Sequence, residues 1–331
     1  MWKINLWKAA TAWLIVGMLS GCTSDNPGSS NSVNNPQESQ PFKAVAPTMD
    51  ADSMFSFVER QLSFGPRIPG SKGHAACAEW MVSKFNSYGA KTQIQSGNFI
   101  TPSGKNIPVK NVIASYLPEK TTGRLMITAH WDTRPLADKD AQNPNAPVPG
   151  ANDGGSGVAV ILEIARQFSM KAPSVGVDLI LWDVEDSGNY NDEVSWCIGS
   201  QYWVKNPHVT PYRASFGINL DMVGAKDARF TKDDYSSLNA PAETDKVWNL
   251  AHNLGFGSYF PLNAKGFASI DDHYFIMQGA SLPMVEVIDR NVASGEFFPH
   301  WHTTTDNLDQ IDRNTLKAVG QTVLEVIYRE R

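Results

Sequence analysis

The run Val177-Asp178-Leu179-Ile180-Leu181-Trp182 is apolar at every position but one and does not alternate. A strand with one wet face changes character every second residue; an unbroken apolar run of strand length must be covered on both faces. Strand-like runs also occupy Thr92–Ile100, Val109–Tyr116, Arg124–Ala129, Ser215–Leu220 and Ser281–Ile288. Between and around them lie helical patterns at Asp52–Gln61, Ser71–Tyr88, Ser156–Phe168, Thr244–Leu254 and Arg313–Tyr328. The last carries Leu316, Val319, Val323, Leu324 and Ile327 on one side, close to a 3.6-residue period. Strands alternating with helices predict an α/β fold with a central mixed, mostly parallel sheet flanked by helices on both faces. No internal repeat interrupts the pattern, and residues 49–331 read as one domain.

The ends of the chain differ from its body. Lys3 and Lys8 precede an apolar stretch, Ala9–Leu19, that is too short to span a bilayer and ends Leu19-Ser20-Gly21-Cys22. Residues 1–22 therefore read as a lipoprotein-type signal peptide, with Cys22 as the lipidated residue. Residues 23–48, rich in Ser, Asn, Gln and Pro, read as a flexible tether. Together they imply an exported protein held by lipid at a membrane of the cell envelope. The 331 residues carry 28 Lys+Arg against 34 Asp+Glu with no basic stretch, which argues against nucleic acid as a partner. Three cysteines are too few for a disulfide scaffold, although export would allow Cys77 and Cys197 to pair.

In open α/β sheets, ligands bind beyond the carboxyl ends of the strands. His130-Trp131-Asp132 follows the third strand, and Asn152-Asp153 sits among glycines before a helix. Glu185-Asp186 follows Val177–Trp182, Asp221 follows Ser215–Leu220, and Asp271-Asp272-His273 and Trp301-His302 come later. Taken singly these are ordinary residues: Asp153 is a good helix cap, and Asp272-His273 reads as a surface pair. Asp192 and Glu193 read as a solvated acidic loop, and His74, His208 and His252 as structural. As an ordered set, carboxylates and imidazoles ending neighbouring elements suit a divalent ion such as zinc, which accepts oxygen and nitrogen ligands.

This set resembles the zinc aminopeptidase superfamily of bacterial leucyl-aminopeptidase type and, within it, the glutaminyl cyclases. The string Ala129–Pro135, Asp271 and Trp301 are the features that lean toward the cyclases. The resemblance spans about residues 50–331 and implies a zinc aminopeptidase-like fold. It implies Asp153, Asp186 and His302 as ligands of one Zn2+, Glu185 as general acid/base, and Asp221 and Asp271 as acidic partners. Trp301 and Phe298 would line the substrate pocket, with Trp196 or Tyr190 as a second aromatic. Where the family often has Glu-Glu, this chain has Glu185-Asp186, which keeps the carboxylate.

The resemblance implies cyclisation of N-terminal glutaminyl residues of peptides or proteins to pyroglutamate, with release of ammonia. The alternative is an aminopeptidase with two zinc ions, in which His130 and Asp221 hold the second and Asp153 bridges. A non-catalytic binding module of the same fold is the third reading, and it predicts missing ligands. Oligomeric state leaves no mark on the sequence.

Overall fold

The structure, a computed structural model, describes residues 42–331. The signal-peptide and Cys22 readings lie outside the described residues, as does most of the tether. Six strands form one sheet: β1 (Lys91–Ile100), β2 (Asn106–Tyr116), β3 (Leu125–His130), β4 (Val177–Trp182), β5 (Phe216–Asp221) and β6 (Met284–Ile288). Their order is β1-β2-β4-β3-β5-β6. The β1/β2 and β2/β4 pairs are antiparallel, and β4, β3, β5 and β6 run parallel. Every residue of β3 to β6 is buried, as their unbroken apolar character requires, while edge strand β1 is mostly exposed. Asp178, the charged residue in the β4 run, is paired with Arg124 at 3.0 Å and accepts from Ser115 and Tyr212 hydroxyls.

Alternate strand residues feed two cores. Leu125, Ile127, Leu179, Leu181, Ile218 and Val285 pack on α1 (Ala51–Leu62), α2 (Lys72–Ser87), α3 (Gly155–Met170), α6 (Pro241–Asn253) and α8 (Arg313–Arg329). Met126, Ile180, Trp182 and Met284 face the other way, onto Trp203 of α4 (Ile198–Lys205) and Ile276 and Met277 of α7 (Asp272–Ala280). Helix α4, α5 (Asp234–Asn239) and α7 are absent from the sequence-based expectation, because six to nine residues are too few to establish a helical period. The last predicted strand starts late, at Met284, because Ser281 is left-handed and Pro283 has no N–H to give the ladder. Among the described residues no helix is long and apolar enough to cross a membrane.

One expected boundary changes here and one open question closes. Residues 45–48, placed in the tether, are anchored: buried Glu325 accepts the Val45 and Ala46 N–H groups at 3.0 and 2.9 Å, and Gln321 donates to the Pro47 carbonyl. The composition of this segment misled because it docks through its backbone rather than through apolar side chains. Cys77 and Cys197, whose pairing the sequence leaves open, are both buried free thiols.

Helix α3 seats against the sheet through Gly157, where an added Cβ would lie 2.4 Å from the Leu220 carbonyl oxygen and 2.8 Å from the Ala129 Cβ. Both obstacles belong to the strands that end in the site, so they have little room to give. Gly157→Ala is expected to destabilise the fold by about 1–3 kcal/mol, seen as a lower urea midpoint with an unchanged slope. An unchanged midpoint would show that α3 can lift without cost.

Candidate active site

His130 and Asp221 are the last residues of β3 and β5, Glu185 and Asp186 follow β4, and Asp153 lies just ahead of α3. Asp271 caps the N-terminus of α7, and His302 comes from the loop before α8. Parallel pairing of β4, β3, β5 and β6 brings these ends side by side. Val184, Cys197, Met222 and His302 all adopt left-handed φ between 49° and 56°. Such backbone is costly for residues other than glycine and persists where surrounding structure enforces it. Here it turns the chain immediately before Glu185 and immediately after Asp221.

Two buried carboxylates fix the loops. Asp132 accepts from the N–H groups of Glu185 and Asp186 at 3.0 and 3.3 Å. Asp306 accepts from those of Asn152 and Asp153 at 2.9 and 3.1 Å. Asp132 was visible in the sequence as part of the strand-end motif, without a role. Asp306 carried no local signal, being more than 150 residues from the loop it holds.

The side chains of Asp153, Asp186 and His302 place one donor atom each within 4.8 Å of the others. His302 Nε2 lies 2.9 Å from Asp186 Oδ1 and 3.7 Å from Asp153 Oδ2. His130, Asp153 and Asp221 form a second such group, with His130 Nε2 2.9 Å from Asp153 Oδ1 and 3.2 Å from Asp221 Oδ1. Asp153 belongs to both. The Oδ2 atoms of Asp153 and Asp186 are buried without a hydrogen-bond donor. Buried carboxylate oxygens are costly when unpaired, and a divalent cation is the partner that fits them together with an imidazole.

The cavity beside this cluster has a volume of about 300 Å³. Six carboxyls line it, from Asp153, Glu185, Asp186, Glu193, Asp221 and Asp271, and among the described residues no Lys or Arg does. Burial, reinforced by Asp271 and Asp186 and partly offset by His130, pushes the Glu185 carboxyl well above its ordinary range. Burial likewise raises Asp221 and Asp271 to about 6 each, and Asp221 adds to the effect on Asp271. Around His130, burial would favour the neutral ring, but the carboxylates of Asp132, Asp153 and Asp221 outweigh it and raise the imidazole. Burial thus raises the proton affinity of several carboxyls in the same pocket that gathers the candidate ion ligands.

Trp301 stacks on the His302 ring at 3.9 Å, Phe297 packs on Trp301 at 4.5 Å, and Trp196 lies parallel to His302 at 6.1 Å. Trp196 and Tyr190, the two candidates for the second pocket aromatic, both line the cavity. Phe298 does not line it. That side chain is buried in the main core, and its neighbour Phe297 forms the wall instead. Of these two neighbouring rings only Phe297 faces the cavity, and spacing alone does not say which of the two does.

The reading of Asp272-His273 as a surface pair is also corrected, since both are fully buried. His273 is held between Glu286 of β6 at 2.6 Å and Asp233 at 3.2 Å, behind Asp271. Asp192 and Glu193 are exposed as expected, although Glu193 reaches the cavity rim. His74 bonds to Asp183 at 2.7 Å and stacks on Trp131, His208 accepts from Trp203, and His252 bonds to the Phe260 carbonyl.

Comparison with known proteins places this arrangement. The model of Peptidase family M28 matches residues 111–327. The structure is similar to the Bacteroides thetaiotaomicron glutaminyl cyclase bound to N-acetylhistamine, with 45% identity, a TM-score of 0.83, and coverage of 87% of this chain and 100% of that one. It is similar to the same degree, 45% identity and a TM-score of 0.82 over the same coverage, to a leucine aminopeptidase precursor from Bacteroides thetaiotaomicron VPI-5482. Among curated relatives, Aminopeptidase YwaD of Bacillus subtilis is 24% identical over 273 residues, 80% of this chain and 54% of its own length. The chain spans about half the length of the curated relatives it matches.

Proposed function

The chain belongs to peptidase family M28, and we propose that within it the protein is a zinc enzyme that closes N-terminal glutaminyl residues to pyroglutamate and releases ammonia. The observation that carries this reading is the Trp301 indole, stacked on His302 and forming, with Phe297 and Trp196, an aromatic wall beside the ion-binding cluster. Such a wall excludes water, which favours attack by the substrate's own amine over hydrolysis. The 45% identity to a glutaminyl cyclase supports the same reading.

Asp153, Asp186 and His302 would hold one zinc ion, which supplies Lewis-acid polarisation of the γ-carboxamide when bound. The rest falls to the protein. Glu185, acting as its carboxylate, takes the proton from the α-amine as its nitrogen bonds to the γ-carbonyl carbon. It returns that proton to the amide nitrogen as the carbon–nitrogen bond breaks and ammonia leaves. Asp271 and Asp221 resist ionising together, so one proton between them can serve as a hydrogen-bond donor to the reacting amide. Trp301, Trp196 and Phe297 orient the side chain and keep the pocket dry.

A second reading is favoured by a specific observation: His130, Asp153 and Asp221 converge as a second cation site sharing Asp153. That arrangement suits a two-zinc aminopeptidase. The binding-module reading predicts absent ligands, yet all five donors are present and brought together.

The decisive assay incubates the zinc-loaded protein with a Gln-initiated peptide and reads product mass and bound zinc. A cyclase removes one ammonia, leaves the backbone intact and binds one zinc; release of the first residue with two zinc ions bound would establish the aminopeptidase. His130→Ala should leave the single zinc of a cyclase in place, and loss of a metal equivalent in that variant would overturn the one-zinc reading.

A further inference from the structure

Arg134 has no part in the chemistry above, yet it is a guanidinium only 6% exposed at the edge of the site. A buried charge is retained where its donors are satisfied. Its Nη1 donates to the main-chain oxygens of Asp186 at 3.1 Å and Gly188 at 3.4 Å. Its Nε donates to Asp138 Oδ2 at 3.0 Å, and its Nη2 bonds the same oxygen. The guanidinium carbon lies 4.8 Å from the Trp196 ring centre and 5.2 Å from that of Tyr190.

Asp138 continues the connection. Its Oδ1 accepts from the Tyr190 hydroxyl at 3.2 Å, and that hydroxyl oxygen lies 2.7 Å from His302 Nδ1. A carboxylate can only accept, so the single Tyr190 proton points to Asp138, and the phenolic oxygen accepts the Nδ1–H of His302. This leaves the His302 Nε2 lone pair facing Asp153 and Asp186. A hydrogen-bonded partner on the far nitrogen is what sets the tautomer and ring orientation of a ligating histidine.

We propose that Arg134 is a positioning residue that ties ion-ligand geometry to the aromatic wall of the substrate pocket, through Asp138 and Tyr190 on one side and the Asp186 main chain on the other. The inference rests on the zinc reading of the site. Its chemistry needs the planar fork: a lysine keeps the charge but cannot bond Asp138, Asp186 and Gly188 at once from beside the Trp196 and Tyr190 rings. One side chain therefore serves both halves of the site, and its loss should be felt by both.

The test uses the full chain and three readouts: zinc affinity by chelator competition, KM and kcat for a Gln-initiated peptide, and the thermal midpoint of the metal-free protein. Arg134→Lys is expected to weaken zinc about 10- to 100-fold, the loss typical of an outer-shell partner, and to raise KM in parallel. Tyr190→Phe keeps the ring and removes only the hydroxyl; it is expected to weaken zinc about 10-fold and covers the case in which Arg134→Lys does not fold. Zinc bound as tightly by the variants as by the unaltered chain, with only the thermal midpoint lowered, overturns the inference and leaves Arg134 as a fold residue. Failure of the unaltered chain to bind zinc overturns the reading on which it stands.

Discussion

Glu185→Gln is expected to leave zinc bound and to lower turnover by about 10²- to 10⁴-fold, the range for removal of a positioned acid/base. The substitution is nearly isosteric, and the backbone of residue 185 stays in place because Asp132 accepts its N–H and the Cys197 N–H donates to its carbonyl at 3.0 Å. Only the ability to exchange a proton is lost. Glu185 is suited to that task because burial, with Asp271 and Asp186 close by, raises its proton affinity. It lies beside the ion cluster without belonging to the Asp153–Asp186–His302 set, so metal content and turnover separate in this variant. Single-turnover rates with metal analysis on the same sample are the measurement. A Glu185→Gln enzyme within about tenfold of the unaltered rate would remove this residue from proton transfer.

His302→Ala is expected to lose both zinc and activity. The imidazole is the only nitrogen donor of the first cluster, and without it two carboxylates remain where three ligands are needed. The loss of affinity should exceed the roughly 10- to 100-fold of outer-shell substitutions. Backbone strain complicates the alanine variant, because position 302 is left-handed at φ 55° and the native side chain is held there by Tyr190 and Trp301. His302→Asn provides the control, since asparagine tolerates this conformation better than most residues. Zinc content after dialysis, measured on both variants, decides the matter. Retention of one zinc per chain by folded His302→Ala would move the ion to the His130–Asp153–Asp221 cluster.

The parts of the site that could be read in advance share a cause. His130, Glu185, Asp186 and Asp221 lie at or just beyond the ends of apolar strands, where a change from buried to polar character occurs within one or two residues. Asp271 is legible only as part of the Asp271-Asp272-His273 motif that carries the family resemblance, because the helix it caps is too short to show a period. The parts that could not be read depend on groups far apart in sequence. Asp306 holds the Asp153 loop, Arg134 reaches the Asp186 and Gly188 carbonyls, and Glu325 gathers in residues 45 and 46. Each bond joins a side chain to the backbone of a distant segment, and a backbone group leaves no trace in residue identity. His273 was misread for a related reason, because its burial depends on Glu286 and Asp233 arriving from other elements.

The amino-acid sequence by itself determined the layered α/β architecture, the covered strands and the chemical types gathered at their ends, since these follow from local periodicity and from where apolar character stops. Only the tertiary structure decided that Phe297 rather than Phe298 faces the cavity, that Cys77 and Cys197 stay apart, and that His302 is oriented through Tyr190 and Asp138. Hydrophobic patterning is a short-range signal repeated over many residues. Side-chain direction, partner choice and burial of charge are settled by single contacts between segments that meet only when the sheet is assembled.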